Sequence, residues 1–430
     1  MRAWHPRPMS GKSAFRRLLL DRFPSALVPA SAALAAADVL YVDLTERLHC
    51  WRNQPGGTAD TPCLTGRDFV EFMFTPAISM LQHSSASTLV LAVDDPAYVP
   101  TAKQATQRAR DTRRDVVPMR YAEGDVIVSW AGCMPPSDAM LANRDAKRAS
   151  VVQALQLLPC VTHVAPGKTI VMSGHDPRHN SVFTHAGVDA SHAAASPAER
   201  VGEAELRWVS FCKRSADVRM AGNWVVVSKD TDSIVIAALH ARELLLKREV
   251  YIHYGADKTV DLRRMAHDVD SAFAQAGSDW TFAQLAACMQ LAGNDFQTGW
   301  HNVAQTTLWN TIWAHSKATG RVVLFGDGAD AETTFSGEAL QRLLTAVFYR
   351  RYKLERWLPP PHKCSWAAVA SHLAQSKCRV PTPAEIKGCA RRFRWNVLYW
   401  LDGDRGVTAV PGVKTSRGWK RDATGAVLPA

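Results

Sequence analysis

The chain has 430 residues, of which 47% are hydrophobic and 21% are charged. This composition allows a large buried core and excludes disordered, collagen-like and fibrous proteins. The 51 Lys and Arg residues against 40 Asp and Glu residues give a formal net charge of +11. An excess of this sign favours a polyanionic partner such as nucleic acid or an anionic membrane surface.

The residue pattern gives little support to a membrane protein or to a protein that binds metal through cysteine. No run of 18 apolar residues occurs, so no membrane span is predicted. The nine cysteines are scattered without a C-x-x-C motif, which predicts neither a zinc knuckle nor a disulfide framework. A reducing intracellular compartment, cytoplasm or nucleus, suits such cysteines best. The Arg-rich, acid-free first 20 residues leave a mitochondrial presequence as the lesser alternative.

Short apolar runs alternate with helical patterns along the chain, which predicts an α/β fold with a mostly parallel central sheet flanked by helices. The predicted buried strands are residues 39–43, 88–94, 169–173 and 224–230, and a fifth run at 321–325 is expected to extend the sheet. Helical spacing predicts helices over residues 69–81, 138–157 and 285–291.

Two later regions have a different character. Residues 177–201 are rich in Ala, Ser and His without periodicity, which predicts an insertion loop at the surface. From about residue 336 the chain becomes helical, basic and aromatic, so that 301–400 are predicted to form a helical extension. The Gly-, Thr-, Lys- and Arg-containing residues 401–430 are predicted to be a disordered tail.

Carboxylates stand where the predicted strands and one predicted helix begin or end. They are Asp43, Asp94, Glu203, Glu205, Asp230, Asp232 and Asp295. Ligands of open α/β sheets bind beyond the carboxyl ends of the strands, so we expect these seven acids to converge in one crevice. The alternative is that each Asp is only a turn residue or a helix cap.

Carboxylates brought close together repel one another unless a cation neutralises them. Oxygen ligands without cysteine or clustered histidine select Mg²⁺ or Mn²⁺ over Zn²⁺. Two such ions about 3.5–4 Å apart stabilise the attacking and leaving oxygens in phosphodiester hydrolysis. The acid pattern therefore favours a two-metal hydrolase.

A basic helix is predicted nine residues after Asp94. Lys103, Gln107, Arg110 and Arg114 recur at i, i+4, i+7 and i+11, which places them on one helix face, with Arg108 and Arg113 to the side. A face of this kind is most often only solvated. Beside a metal site, it would present donors to a phosphate group.

In the order of these motifs and in their residues, the chain resembles the N-terminal nuclease region of the XRN 5′→3′ exoribonucleases, members of the PIN/FEN-like nuclease superfamily. The matching segments are FRRLLLDRFP at 15–24, LYVD at 40–43 followed by His49, LAVD at 91–94, AK through QRAR at 102–110, CMPP at 133–136, MSGH at 172–175, GEAE at 202–205, DTD at 230–232 and GNDF at 293–296. The resemblance covers residues 9–300.

This resemblance implies a nuclease domain in which the seven acids hold two Mg²⁺ or Mn²⁺ ions. It also implies that Lys103, Gln107 and Arg110 bind a 5′-monophosphate. His49, Arg108 and Arg114 are then candidate substrate contacts. The activity expected of such a protein is metal-dependent 5′→3′ hydrolysis of single-stranded RNA, with DNA as the other candidate substrate.

The chain departs from the family pattern at three places. Asp111 stands where the family has a second basic residue, 26 residues separate His175 from Gly202, and the region after residue 300 matches poorly. Two alternatives stay open: a flap-type DNA endonuclease, and a non-catalytic RNA-binding scaffold on a nuclease fold. The sequence decides neither RNA against DNA, nor Asp94 against Asp95 as a ligand, nor the oligomeric state.

Overall fold

A nine-stranded sheet lies at the centre of the computed structural model. The residues described are 12–51, 63–94, 117–161, 164–174, 179–185, 187–194, 203–215, 217–255, 258–293, 303–324, 334–376, 380–402, 419–421 and 427–429. Helices cover both faces of this sheet, so the predicted α/β fold is confirmed.

The sheet is parallel in the middle and antiparallel at both edges. Its strands are β1 (Leu27–Val28), β2 (Val39–Asp43), β3 (Thr88–Ala92), β4 (Thr169–Ser173), β5 (His179–Thr184), β6 (Gly187–Ala194), β7 (Trp224–Val227), β8 (Val250–His253) and β9 (Thr259–Asp261). Their order is β1-β9-β8-β7-β2-β3-β4-β5-β6. The central strands β8, β7, β2, β3 and β4 run parallel, as expected for strands buried on both faces.

The helices form two layers around this sheet. In chain order they are α1 (Lys12–Arg22), α2 (Ala30–Ala36), α3 (Leu44–Trp51), α4 (Gly66–Gln82), α5 (Ser137–Ala142), α6 (Arg144–Gln156), α7 (Leu158–Val161), α8 (Ala204–Arg214), α9 (Thr231–Leu244), α10 (Leu262–Gln275), α11 (Phe282–Met289), α12 (Gln305–Thr319), α13 (Gly337–Arg351), α14 (Trp366–Gln375) and α15 (Pro383–Asp402). Helices α2 to α7 pack in one core with Leu40 and Val42. The other helices pack in a second core with Val39 and Tyr41. Side chains thus alternate between the two faces along β2.

The region after residue 301 is helical, as predicted, and it contributes to the same core as the first helix. Phe15 of α1 packs edge-on against Trp309 of α12, with ring centroids 6.2 Å apart. The amide of Phe15 donates to the Gln305 side chain at 2.9 Å. Helix α15 is tied to α9 through His240 Nε2, which lies 2.9 Å from the Trp400 carbonyl oxygen.

The predicted loop at 177–201 is wrong for most of its length. Strands β5 and β6 form an antiparallel hairpin that extends the sheet beyond β4. Val182 and Phe183 pack into opposite cores, but so few large apolar residues among Ala, Ser and His give no visible alternation. The edge of β4 supplies hydrogen-bonding partners to the hairpin backbone whatever its side chains, which sequence patterning does not register.

Three smaller expectations also need correction. The run at 321–325 does not extend the main sheet. Its strand β10 (Val323–Leu324) pairs instead with β11 (Thr334–Phe335) in a separate two-stranded sheet. In the predicted disordered tail, β12 (Trp419–Arg421) pairs with β13 (Val427–Pro429). The helix predicted over 138–157 is divided at Asn143, whose side chain accepts hydrogen bonds from Asp145 N and Ala146 N and so begins a new helix.

One disulfide was not expected from the cysteine pattern. Cys63 and Cys133 are bonded, with their Cα atoms 5.7 Å apart, and the neighbouring backbones pair through Met134 N and Leu64 O at 2.8 Å. A sequence separation of 70 positions hides this proximity in the sequence. The inference of a reducing compartment rested on unpaired cysteines, so this pair weakens its basis. Among the residues described, no helix is long and apolar enough to cross a bilayer.

Candidate metal centre

Three acids follow three adjacent strands at the middle of the sheet. Asp43 is the last residue of β2, Asp94 follows β3, and Asp230 follows β7. From β2 the chain proceeds through β3 and β4 on one side and returns as β7 on the other. A reversal of this kind opens a crevice at the carboxyl ends of the strands. The topology therefore brings Asp43, Asp94 and Asp230 to the same edge of the sheet.

Each of these three acids accepts a hydrogen bond at the start of a helix. Asp43 Oδ1 accepts from Thr45 N at 2.8 Å at the start of α3. Asp230 accepts from Asp232 N at 3.1 Å at the start of α9. Asp94 Oδ1 accepts from Ala204 N, the first amide of α8, at 2.9 Å. Asp43 and Asp230 are thus helix caps, and Asp94 bonds to the start of α8 from another segment. These contacts place the carboxylates at helix N-termini, where the helix dipole favours negative charge.

Glu205, Asp230 and Asp232 form the tightest group of acids. One carboxylate oxygen of each lies within 4.8 Å of those of the other two. Glu205 and Asp232 are buried and Asp230 is half-buried. Three carboxylates at this spacing repel one another without a cation, and an all-oxygen donor set suits Mg²⁺ or Mn²⁺. The residues present therefore fit a divalent metal ion.

Asp43 and Asp94 adjoin this group. Burial raises the pKa of Asp43 to about 8, and the charges of Asp94 and Glu46 add to the rise. Tyr41 lies beneath the acids, and its hydroxyl donates to Ala204 O at 2.5 Å. Burial raises the pKa of Tyr41, Arg207 opposes the rise, and Asp43, Asp94 and Glu205 add to it. The Tyr41 hydroxyl therefore lies near three acids, Asp43, Asp94 and Glu205.

Arg207 supplies a buried positive charge to this region. Its side chain is 1% exposed, and Nη1 donates to Val93 O at 2.7 Å. Gly174, which follows β4, has a φ of +92°, and a Cβ there would collide with both the Arg207 guanidinium and the Val93 carbonyl. Glycine at this position of the MSGH segment therefore makes room for the arginine that offsets part of the acid repulsion.

Of the six predicted acids that the structure describes, only three lie in this tight group. Glu203 is fully buried as the N-terminal cap residue of α8, but it lies outside the three-acid group, as do Asp43 and Asp94. His49 is an exposed residue of α3. The remaining predicted residues, Asp295, Lys103, Gln107, Arg108, Arg110 and Arg114, lie outside the described residues.

Glu46 is a functional candidate that the sequence analysis missed. Its carboxylate accepts from Lys229 N at 2.7 Å, and Ser228 Oγ lies 3.4 Å from the same oxygen. Burial raises the pKa of Glu46, the hydrogen bond from Lys229 opposes that rise, and the charge of Asp230 adds to it. Glu46 therefore holds the loop that carries Asp230. Its position three residues after Asp43, at the start of a helix, was the available signal.

The same loop is held from the other side by the N-terminal helix. Arg16 Nη1 donates to Lys229 O at 2.6 Å, so that both backbone groups of Lys229 bond to side chains. Ser228 Oγ accepts from Asp230 N at 3.2 Å and from Ser233 Oγ at 2.8 Å. The backbone just before Asp230 is thus fixed from α1, α3 and α9, which presets the direction of the carboxylate.

Comparison with known proteins adds little to this description. No protein-family model and no curated protein matches the chain. One similar solved structure, the catalytic core of Rad2 in complex with DNA substrate (complex II), has a TM-score of 0.44 and 11% identity over 92% of this chain and 89% of that chain. Complex III of the same catalytic core has a TM-score of 0.34 and 14% identity over 68% and 67%. Likenesses this weak carry no argument, and the resemblance to the XRN family stays a prediction.

Proposed function

We propose that this protein is a divalent-metal-dependent nuclease that degrades single-stranded RNA from a 5′-monophosphate end. The observation that carries the nuclease assignment is the grouping of Glu205, Asp230 and Asp232 within 4.8 Å of one another, with Asp43 and Asp94 beside them. Acids from adjacent strand ends in a crevice are suited to hold the cations that phosphodiester hydrolysis uses.

The chain's own residues set the geometry of this chemistry. A divalent cation held by Glu205, Asp230 and Asp232 would polarise the scissile phosphate and stabilise the charge that develops on its oxygens. Tyr41 and Arg207 fix α8 against the strand ends, so that Glu205 faces the acids of α9. Glu46 fixes the loop that precedes Asp230. Preset carboxylates need little rearrangement when the substrate arrives.

The substrate and the direction of cutting rest on the sequence pattern. Lys103, Gln107 and Arg110 share one predicted helix face soon after Asp94, and charge-assisted hydrogen bonds from such a face suit a terminal phosphate. A protein that anchors the 5′-phosphate beside its cations cuts at that end of the strand. The net charge of +11 agrees with a polyanionic substrate.

The test is a degradation assay with Mg²⁺ on RNA and DNA strands that carry either a 5′-phosphate or a 5′-hydroxyl. We expect 5′-phosphorylated RNA to release mononucleotides from its 5′ end fastest. Asp232→Asn should abolish this release, because the metal loses a ligand. Internal fragments would favour the flap-type endonuclease instead, and metal-independent hydrolysis or an active Asp232→Asn variant would refute the assignment.

Separate variants test the proposed preference for a 5′-phosphate end. A charge-assisted hydrogen bond to a phosphate contributes about 1.5–3 kcal/mol, so Lys103→Ala or Arg110→Ala should slow 5′-phosphorylated RNA about ten-fold at subsaturating concentration. RNA with a 5′-hydroxyl should change much less. Arg120→Ala, at an exposed arginine, is the matched control. Equal slowing of both substrates would assign the helix to general backbone binding.

A further inference from the structure

A second surface combines exposed basic side chains with an exposed tryptophan. It extends from the last turn of α13 to α14, and we name it the 350–372 surface. Its exposed Lys and Arg residues are Arg350, Arg351, Lys353, Arg356 and Lys363. Glu355 is the one acid in this stretch of sequence. The segment is therefore far more basic than the chain as a whole.

Trp357 stands out on this surface because 59% of its side chain is exposed. By contrast, the largest fully buried side chains include Trp208, Trp224, Trp280, Trp395 and Trp400. The centroid of the Trp357 ring lies 5.3 Å from that of the His372 ring, and the two ring planes are tilted by 32°. A large aromatic face left in water beside positive charges offers a stacking platform to a flat ligand that carries negative charge.

The backbone presents Trp357 in a fixed position. Lys353 has a φ of +52°, and it is the one non-glycine residue with a positive φ in the part of the chain described. This left-handed residue turns the chain sharply at the end of α13, and such conformations concentrate at functional positions. Tyr349 then donates its hydroxyl to Leu358 O at 3.0 Å. Preorganisation of this kind lowers the entropic cost of binding.

Side chains from three parts of the chain meet at one point of this surface. His315 of α12 is half-buried, and its pKa is lowered by burial and by the charges of Arg350 and His362. Arg350 of α13 and His362 from the segment after α13 therefore both lie near His315, on a surface to which that segment also contributes the exposed Lys353, Arg356 and Lys363. A polyanion that crosses this region would meet several cations at once.

We propose that the 350–372 surface binds single-stranded nucleic acid, with backbone phosphates on its basic residues and a base stacked on Trp357. The choice of polymer rests on the proposed function, but the binding itself needs no hydrolysis. An anionic membrane is the less suitable occupant. The other large apolar side chains that are exposed in the described residues, Val117, Val126, Val218 and Leu246, come from other segments, so this surface lacks the apolar face of a membrane-binding helix.

The test measures binding of the full chain to a fluorescent oligonucleotide in metal-free buffer with EDTA, by anisotropy. The oligonucleotide carries a 5′-hydroxyl, so that the predicted phosphate site is not engaged. Loss of one stacking contact should weaken binding, and we expect Trp357→Ala to bind single-stranded RNA about ten-fold more weakly. Duplex binding should be unchanged in this variant, because duplex bases are already stacked.

The charge component is tested by the double variant Arg356→Gln/Lys363→Gln. It should weaken single-stranded and duplex binding alike, and it should reduce the slope of log affinity against log salt by about 1.4 for single strands. The matched control is Leu246→Ala/Lys247→Gln, an exposed apolar and basic pair elsewhere, which should bind as the parent does. Thermal midpoints of all variants should equal that of the parent protein, since the side chains are exposed.

Three results would overturn the proposal. Unchanged oligonucleotide binding by Trp357→Ala and by the double variant is the first. Loss of binding to phosphatidylserine vesicles by Trp357→Ala, with oligonucleotide binding intact, would make the surface a membrane site. Equal loss in the control pair would show non-specific charge attraction.

A parent protein that binds through Trp357 but hydrolyses nothing with Mg²⁺ would refute the nuclease assignment and leave this surface established.

Discussion

The acid group contains buried negative charges, whereas the 350–372 surface contains exposed positive charges. Glu205 and Asp232 are buried negative charges in the first turns of two helices at the centre of the sheet, whereas Arg356 and Lys363 are exposed positive charges in the segment between α13 and α14. Burying like charges together costs folding free energy that a bound cation offsets. Exposed charges cost little and contribute mostly to affinity and to salt dependence. Changes in the first region should therefore alter rate and stability, and changes in the second should alter binding.

Asp43→Asn should distinguish the role of the acid group from that of the 350–372 surface most clearly. The change removes an ionisable carboxyl group from the acid group while keeping a side-chain oxygen that can cap α3. We expect hydrolysis to fall at least about 100-fold, because the electrostatics at the reacting phosphate are lost. Oligonucleotide binding in EDTA should stay within about two-fold, since the basic surface is untouched.

Stability should move in the opposite direction from activity in this variant. In EDTA at neutral pH, Asp43→Asn should raise the thermal midpoint by about 2 °C or more, because the folded protein no longer holds a carboxyl group with a raised pKa. Asp21→Asn, at an exposed position of α1, should leave both activity and midpoint unchanged. A lower midpoint in Asp43→Asn would mean that the carboxylate stabilises the metal-free fold.

Glu46 offers the next largest effect, within the acid region itself. If its role is to hold the loop at Lys229, Glu46→Ala should lower the rate about ten-fold and raise the Mg²⁺ concentration needed for half activity. Glu46→Gln keeps an oxygen that can accept from Lys229 N, so most of the rate should return. Equal loss in both variants would instead make Glu46 a metal ligand. Glu71→Ala, which breaks an exposed ion pair with Arg67, is the control.

The fold and the acids could be predicted because their signals are local. The strand β2 is a run of buried residues that ends in Asp43, and β7 leads into Asp230 and Asp232 in the same manner. Parallel packing then places such strand ends together by a general topological rule. The sequence also left the capping alternative open, and the helix starts at Asp43 and Asp230 show why capping and metal binding are compatible roles.

The missed features all depend on partners far away in the chain. Glu46 acquires its role from Lys229, 183 residues later, and Cys63 finds Cys133 across 70 residues. The hairpin of β5 and β6 forms against the edge of β4 although its own residues carry little strand propensity. Such contacts exist only after the sheet has assembled, so periodicity within a segment does not reveal them.

The smallest expected effect is a change in stability with pH, and it tests whether the acid group is costly without a cation. The ordinary pKa of an aspartate side chain is 3.8, and burial raises the pKa of Asp43 in the folded state to about 8. Between these values the folded state holds a proton that the unfolded state has lost, so stability in EDTA should fall as pH rises from about 4 to about 8. The thermal midpoint should accordingly be lower at about pH 8 than at about pH 5. Asp43→Asn and saturating Mg²⁺ should each reduce this difference, and Asp21→Asn should keep it. Histidines that titrate in the same range are common to all these proteins, so the difference between variants isolates Asp43. An identical pH dependence in parent and Asp43→Asn would show that the acids are neutralised within the protein itself, and the contrast with the exposed basic surface would then disappear.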